Sequence, residues 1–303
     1  MFGLNKLIPV EPSYNFLNYR KFFLIISSFA ISISILLLFF KGLNLGIDFK
    51  GGTLIEVTTN ENTTIAELRE ILSPNFNDVS LQEFGDKNTI IIRLQNINNQ
   101  ESIQTINNVK NLISDKVYEF RRSEFVGPTI SSELLWKGFQ AVSFALIAIL
   151  IYIWFRFEWQ FSLGAVIALI HDVILTIGVF CFTQLEFNLP IIAAILTIVG
   201  YSMNDTVVIF DRIRENLKKY SKISITDITN QSTNETLSRT LITSVTTLLA
   251  LFSIYIFGGS ILKGFSFAMI IGVIVGTYSS IFVAAPILKY TKVTQKTVLK
   301  EEN

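Results

Sequence analysis

Apolar residues fall along this chain in long runs, one near its beginning and five through its second half, with a polar interval between them. The first run covers 22–40, and the others lie at about 135–155, 160–183, 190–211, 239–257 and 262–288. Each approaches the roughly 20 residues a helix needs to cross the hydrocarbon core of a bilayer. The pattern therefore predicts a polytopic α-helical membrane protein with six transmembrane helices. The first run is longer than a signal-peptide core, and Lys41-Gly42 shows no small-residue cleavage pattern, so it is expected to be an uncleaved anchor.

The interval at 43–132 changes its period. Ile55 and Val57 alternate with Glu56 and Thr58, which predicts a strand after Gly51-Gly52. Thr64-x-x-Glu67 is a capping-box pattern opening a helix with Ile65, Leu68, Ile71 and Leu72 on one face and Pro74 beyond its end. Val79 and Leu81 begin a second strand. A turn at 85–88 leads to a third strand with Ile90, Ile92 and Leu94 on one side. Ile103, Ile106, Val109, Ile113 and Val117 define a second helix, and 120–126 reads as a fourth strand. Strand-helix-strand-strand-helix-strand is the split βαβ, ferredoxin-like order. So small an α+β module has a modest core, and a mobile appendage on the membrane body is expected. The organisation expected is thus an N-terminus and first span (1–42), an outer ferredoxin-like domain (43–132), a five-helix bundle (133–290) and a tail (291–303).

Charge orients the spans. Lys6, Arg20 and Lys21 precede the first span, and Arg156 lies in the short, aromatic-rich turn after the second, read as an interface anchor. Arg212, Arg214, Lys218, Lys219 and Lys222 crowd one loop, and Lys289, Lys292, Lys296 and Lys300 lie near the end. The opposite short loops carry only Glu186 and Lys263. By the positive-inside rule both termini are expected to be cytoplasmic. Within the loop at 211–238, Ile213, Leu217 and Tyr220 share a face and Ser224-x-x-Asp227 resembles a cap, so an amphipathic segment lying on the membrane surface is expected. A contact with a cytoplasmic partner is the other reading.

Composition removes several classes. Among 303 residues the net charge is +1, against a nucleic-acid partner held by electrostatics. The single Cys181 permits no intrachain disulfide. No Walker-type P-loop is present, one histidine makes no metal site, and no nucleophile-base set lies outside the membrane. Neither an enzyme nor a cofactor is expected.

The candidate chemistry lies inside the spans. Asn204 and Asp205 interrupt the hydrophobic run of 189–216, where a carboxylate costs about 2.5–3.5 kcal/mol on insertion scales. Thr197, Gly200, Tyr201, Asn204, Asp205 and Val208 recur at helical spacing, giving a polar face expected to look into a bundle. Snorkelling to the interface is the plainer alternative, but the stem of Asp is short. Arg239 heads the next span, beside a hydroxyl stripe of Thr240, Thr243, Ser244 and Thr247, at about the depth of Asp205. An Asp–Arg pair there is a proton-sensitive latch, while an arginine marking a cytoplasmic helix start is the alternative. His171-Asp172 sits mid-span, as a second functional candidate or as a structural hydrogen bond. Gly264, Ala268, Gly272, Gly276, Ser280 and Ala284 recur every fourth residue, a helix-packing stripe rather than a site.

Six segments carry a resemblance: GIDFKGGTLIEV, VGPTISSELLWKG, ALIHDVILTIG, VGYSMNDTVVIFDRIREN, SRTLITSVTTLLALFSIYIFGG and LKGFSFAMIIGVIVGTYSSIFVAAPIL. Together they resemble the SecD/SecF family of bacterial protein-export subunits, within the resistance-nodulation-division superfamily, over nearly the whole chain. The resemblance implies a bacterial inner membrane protein whose outer domain is periplasmic, in a heteromeric complex with SecD that assists the SecYEG channel and SecA, and more indirectly YajC. It implies use of the proton gradient to complete movement of unfolded preproteins across the membrane. It places the family's proton-pathway acid on Asp205 and its arginine on Arg239, with the His-Asp pair at His171 and Asp172. A proton-driven exporter of lipids or small molecules, and a non-transporting scaffold, are the rival readings.

Overall fold

The computed structural model describes residues 12–61, 63–76, 79–83, 88–94, 102–220 and 223–299. Of the turn expected at 85–88 only Asn88 is among them, and Lys6, Lys222 and Lys300 of the charge pattern lie outside. In chain order the elements are α1 (Arg20–Phe40), α2 (Ile47–Lys50), β1 (Gly52–Thr59), α3 (Ile65–Leu72), β2 (Val79–Glu83), β3 (Thr89–Leu94), α4 (Ser102–Ile113) and β4 (Val117–Val126). There follow α5 (Pro128–Arg156), α6 (Trp159–Thr183), α7 (Leu189–Lys219), α8 (Ile225–Phe257), α9 (Gly259–Ser279), a π-helical turn (Ser280–Ala284), α10 (Ala285–Tyr290) and α11 (Gln295–Leu299). Among the described residues six helices are long and apolar enough to cross a membrane. The chain divides into two compact units, one from Leu45–Ala141 and Glu186–Leu189, the other from Met1–Asn44, Val142–Leu185 and Pro190–Asn303.

The first unit is built on a sheet in the order β2-β3-β1-β4, each neighbouring pair antiparallel. The element order is the one the alternation predicts. Ile55, Val57, Ile90 and Ile92 face α3 and α4, burying Leu68, Leu72, Val109 and Ile113. Leu54 and Ile91 point the other way, with Ile47 of α2 packed on them. Covering both faces of β1 buries nearly the whole strand, Glu56 included. The Thr64 hydroxyl caps α3, accepting the Glu67 N–H at 3.3 Å. One boundary is corrected: Val117 opens β4 instead of closing the second helix. A turn in which Lys116 N–H reaches Ile113 C=O ends the helix first, and Val117 then pairs with Thr59.

In the second unit α6, α7 and the α9–α10 rod form the centre. Half or more of their spanning windows is buried, against under a fifth for α1, α5 and α8. The small-residue stripe lies where α9 meets α7. Ile198 fills the space a side chain at Gly272 would take, Ser202 lies against Gly276, and Ile191 lies 3.1 Å from the ideal Cβ position of Gly264. Ala268 and Ala284 are fully buried. Close approach of this kind is what small residues allow, since dispersion replaces the hydrophobic drive in lipid. The span expected at 262–288 is present, wound as two α segments with the π turn between them.

The amphipathic segment expected to lie on the membrane surface is corrected. α7 continues without a break to Lys219 and α8 starts at Ile225, so the segment is the extension of two spanning helices. Its apolar face has a protein partner: Ile213, Leu217 and Ile228 are buried in the main core cluster. Asn216 donates to Ser232 and Glu235, and Arg212 also pairs with Glu235. The Ser224 hydroxyl caps α8 through the Asp227 N–H. An N-terminal strap is clamped to this extension: the Asn234 carboxamide bonds both the N–H and the C=O of Tyr14, and Asn230 accepts the Leu17 N–H at 3.0 Å.

Candidate functional site in the helix bundle

The run of 202–206 turns an apolar helix into a polar node because successive residues face three neighbours. Ser202, Asp205 and Thr206 point into the bundle and are buried, whereas Asn204 is exposed. Thr197 and Gly200 are exposed as well, so the polar face expected to look wholly into this chain's bundle is divided. Only Asp205, of its charged and carboxamide members, is inside.

Asp205 is 3% exposed, and its Oδ2 has no hydrogen-bond partner. The charge that reaches it is that of Arg239 on α8. No ion pair closes between them, and Arg239 is exposed on the flank of the bundle. The Asp–Arg pair expected from sequence is therefore not formed: Arg239 lies within electrostatic range of Asp205 but is not bonded to it. The hydroxyl stripe of α8 is shared out around it. Ser244 bonds Thr277 of α9 at 2.7 Å, Thr247 receives the Tyr201 hydroxyl at 3.4 Å, and Thr243 bonds back to its own helix. The Thr240 hydroxyl is buried without a partner.

Asp172 is the opposite case. It is fully buried on α6, and its Oδ2 accepts hydroxyl donors from two other helices, Ser202 of α7 and Ser279 of α9, at 2.5 and 2.8 Å. Its Oδ1 lies 2.8 Å from His171 Nδ1. His171 stacks on Tyr278, whose hydroxyl contacts Ser27 and the Phe23 carbonyl of α1. His171 Nε2 is buried without a partner. One turn along, Thr206 and Ser280 share a hydrogen bond of 2.8 Å. Ser202, Thr206, Tyr278 and Ser279 were not singled out by sequence reasoning. The available signal was a pair of serines at the end of the small-residue stripe, where glycine or alanine alone satisfies packing.

The two acids are therefore suited to different work. Asp172 has three hydrogen-bond partners and ties four helices together, α1 through the His171–Tyr278 stack. Asp205 has an oxygen with no bond to lose, and a change in its protonation meets no local hydrogen-bond resistance. Among the described residues no three of His, Cys, Asp or Glu converge to hold a metal ion.

Comparison with known proteins bears on this arrangement. Residues 105–294 match the family model described as protein export membrane protein SecD/SecF, C-terminal, and residues 36–62 match the SecD/SecF GG motif. The chain is 44% identical to protein translocase subunit SecF of Rickettsia bellii over 290 residues, 93% of this chain and 95% of that one. It is 43% identical to the subunit of the same name from Rickettsia conorii, over 93% of each. Its structure is similar to the crystal structure of SecDF, a translocon-associated membrane protein from Thermus thermophilus, with a TM-score of 0.86 and 34% identity. That match covers 94% of this chain and 39% of the other. A SecDF crystal structure in a super-membrane-facing form matches with a TM-score of 0.66 and 33% identity, covering 93% and 39%.

Proposed function

Since the chain belongs to the SecD/SecF family of protein-export membrane proteins, we propose that it acts with SecD as a proton-driven accessory of the Sec translocase, assisting late movement of preproteins through SecYEG after SecA. The observation that carries this reading is the buried carboxyl of Asp205, with an unbonded oxygen and Arg239 as an unbonded cation in range. Protonation removes the charge that Arg239 attracts, and deprotonation restores it, so the relative preference of α7 and α8 changes with the proton. A charge crossing the whole membrane potential gains about 2.3 kcal/mol per 100 mV, enough to bias a two-state bundle several-fold.

SecD is the partner this reading requires. Arg239, Asn204 and Thr197 are exposed on the surface of this chain, and polar groups at membrane depth need cover. The similarity to SecDF, a longer chain of which this one matches 39%, supports a SecD partner for it. The distribution of Arg and Lys supports an inner-membrane orientation with both termini cytoplasmic.

The test is export of a preprotein into membrane vesicles holding the intact complex, with and without an imposed proton gradient. Asp205→Asn is expected to abolish the gradient-dependent gain while leaving co-purification with SecD unchanged. Gain at the wild-type level in that variant overturns the reading and leaves a scaffold in its place. Gradient-dependent efflux of lipid, with no effect on preprotein, favours the exporter.

A further inference from the structure

Residues 186–189, the end of the joint between α6 and α7 and the first residue of α7, belong to the sheet-bearing unit. Their contacts within that unit are of several kinds. Glu186 makes a 2.6 Å ion pair with Arg93 of β3, and both side chains are close to nine-tenths buried. Arg93 also bonds Gln82 of β2, so the same guanidinium is fixed to two strands. The Phe187 carbonyl accepts the Gly46 N–H at 2.9 Å, in a parallel bridge between Leu45 and Phe187. The Phe187 ring lies against Phe49. Asp48 Oδ2 accepts the N–H of Leu189, the first residue of α7, at 2.8 Å.

These contacts explain the composition of the segment at 46–52, GIDFKGG. Gly46 has no side chain because the Glu186 carboxylate occupies the space. Asp48 satisfies one of the orphan donors at a helix start and puts negative charge at the positive end of its dipole. Gly51 and Gly52 have φ of 74° and 117°, a reversal from α2 into β1 that side-chain-bearing residues rarely adopt.

We infer that the 46–52 segment and Arg93 form a clamp on the N-terminus of α7, making α7 the element that carries the state of Asp205 to the sheet. The inference rests on the function proposed above for Asp205. It adds a pathway: α7 bears the acid at 205, and 16 residues earlier its first backbone donor is held by Asp48. Tethers at either end of the sheet unit need no hydrogen bonds to connect it. A clamp that closes an ion pair around the opposite joint makes that joint move with the sheet. Arg93, Glu186 and Asp48 are positioning residues in this scheme and exchange no proton.

The experiment uses the full complex in vesicles and reads the proton-gradient-dependent gain in preprotein export, alongside membrane abundance and co-purification with SecD. Arg93→Gln and Asp48→Ala are each expected to lower the gain about five-fold or more, the factor for roughly 1 kcal/mol of lost coupling. Arg93→Lys keeps the positive charge opposite Glu186, to which the guanidinium gives one nitrogen, and is expected to hold the gain to within about two-fold of wild type. A structural role alone predicts loss of abundance in step with activity. If Arg93→Gln fails to accumulate, Asp48→Ala, at a half-buried surface position, decides. Wild-type gain in Asp48→Ala, or in Arg93→Gln, overturns the clamp. Loss of gain in Asp205→Asn with wild-type gain in the clamp variants removes the clamp alone. Wild-type gain in Asp205→Asn removes the proposed function itself, and with it the signal the clamp would carry.

Discussion

Ser202 and Asp172 meet across the α6–α7 boundary, hydroxyl to carboxylate, at a depth where neither side chain reaches water. Ser279 donates to the same oxygen from α9. Removing both hydroxyls leaves a buried acid with only the imidazole of His171 beside it. The Ser202→Ala and Ser279→Ala single variants are each expected to lower stability by about 1–2 kcal/mol. The double variant is expected to lose more than their sum, because the last donor is the hardest to replace. Thermal unfolding of the complex in detergent checks this, and additive losses would dismiss a shared node.

Gly272 and Gly200 lie on neighbouring helices and make opposite predictions. Gly272→Leu drives a side chain into Ile198 and is expected to cost about 1–3 kcal/mol through overpacking. Nothing lies within 4 Å of the position a Cβ would take at Gly200. In the isolated chain, Gly200→Ala is expected to be neutral or stabilising by about 0.5–1 kcal/mol. Thermal unfolding of the two purified variants distinguishes them.

What the sequence told depended on the range of the interaction. The spans, the alternation of Ile55 and Val57, the Thr64 and Ser224 caps and the four-residue stripe of α9 are local signals, and each is present in the structure. Asp205 was visible because a carboxylate in an apolar run is conspicuous. The serines that hold Asp172 were not, since a serine in a membrane helix ordinarily bonds its own backbone one turn back, as Ser266 does to Leu262. The amphipathic face at 211–238 was read correctly as a face, but its partner was another stretch of this chain. Periodicity says that a side is apolar, and not what covers it. The Glu186–Arg93 pair joins residues 93 apart and leaves no local trace.

Arg214 covers Glu158 at the short turn between α5 and α6. The Glu158 side chain is only 3% exposed, and the Arg214 guanidinium lies 3.0 Å from it and over the ring of Phe157. Arg214→Ala strands a buried carboxylate and is expected to cost about 3–5 kcal/mol. Adding Glu158→Gln is expected to recover most of that loss. A double-mutant cycle on detergent-solubilised complex measures it, and no recovery would assign the loss to the ring contact.

Asn234 holds the strap by two hydrogen bonds to one residue, Tyr14. Asn234→Ala is expected to release it at a cost of about 1–3 kcal/mol. Faster amide exchange at Tyr14 and Leu17, with exchange in α9 unchanged, is the expected signature.

The π turn at Ser280–Ala284 gives the last membrane helix two rotational phases. Before it, Tyr278 and Ser279 address α1 and α6; at its first residue, Ser280 addresses Thr206 of α7. Pro286 follows in the first turn of α10 and brings no N–H to rewind the coil at ordinary pitch. Looser winding is thus written into the chain where hydroxyls from several helices converge, and it sets the side chains on either side of the turn against different neighbours.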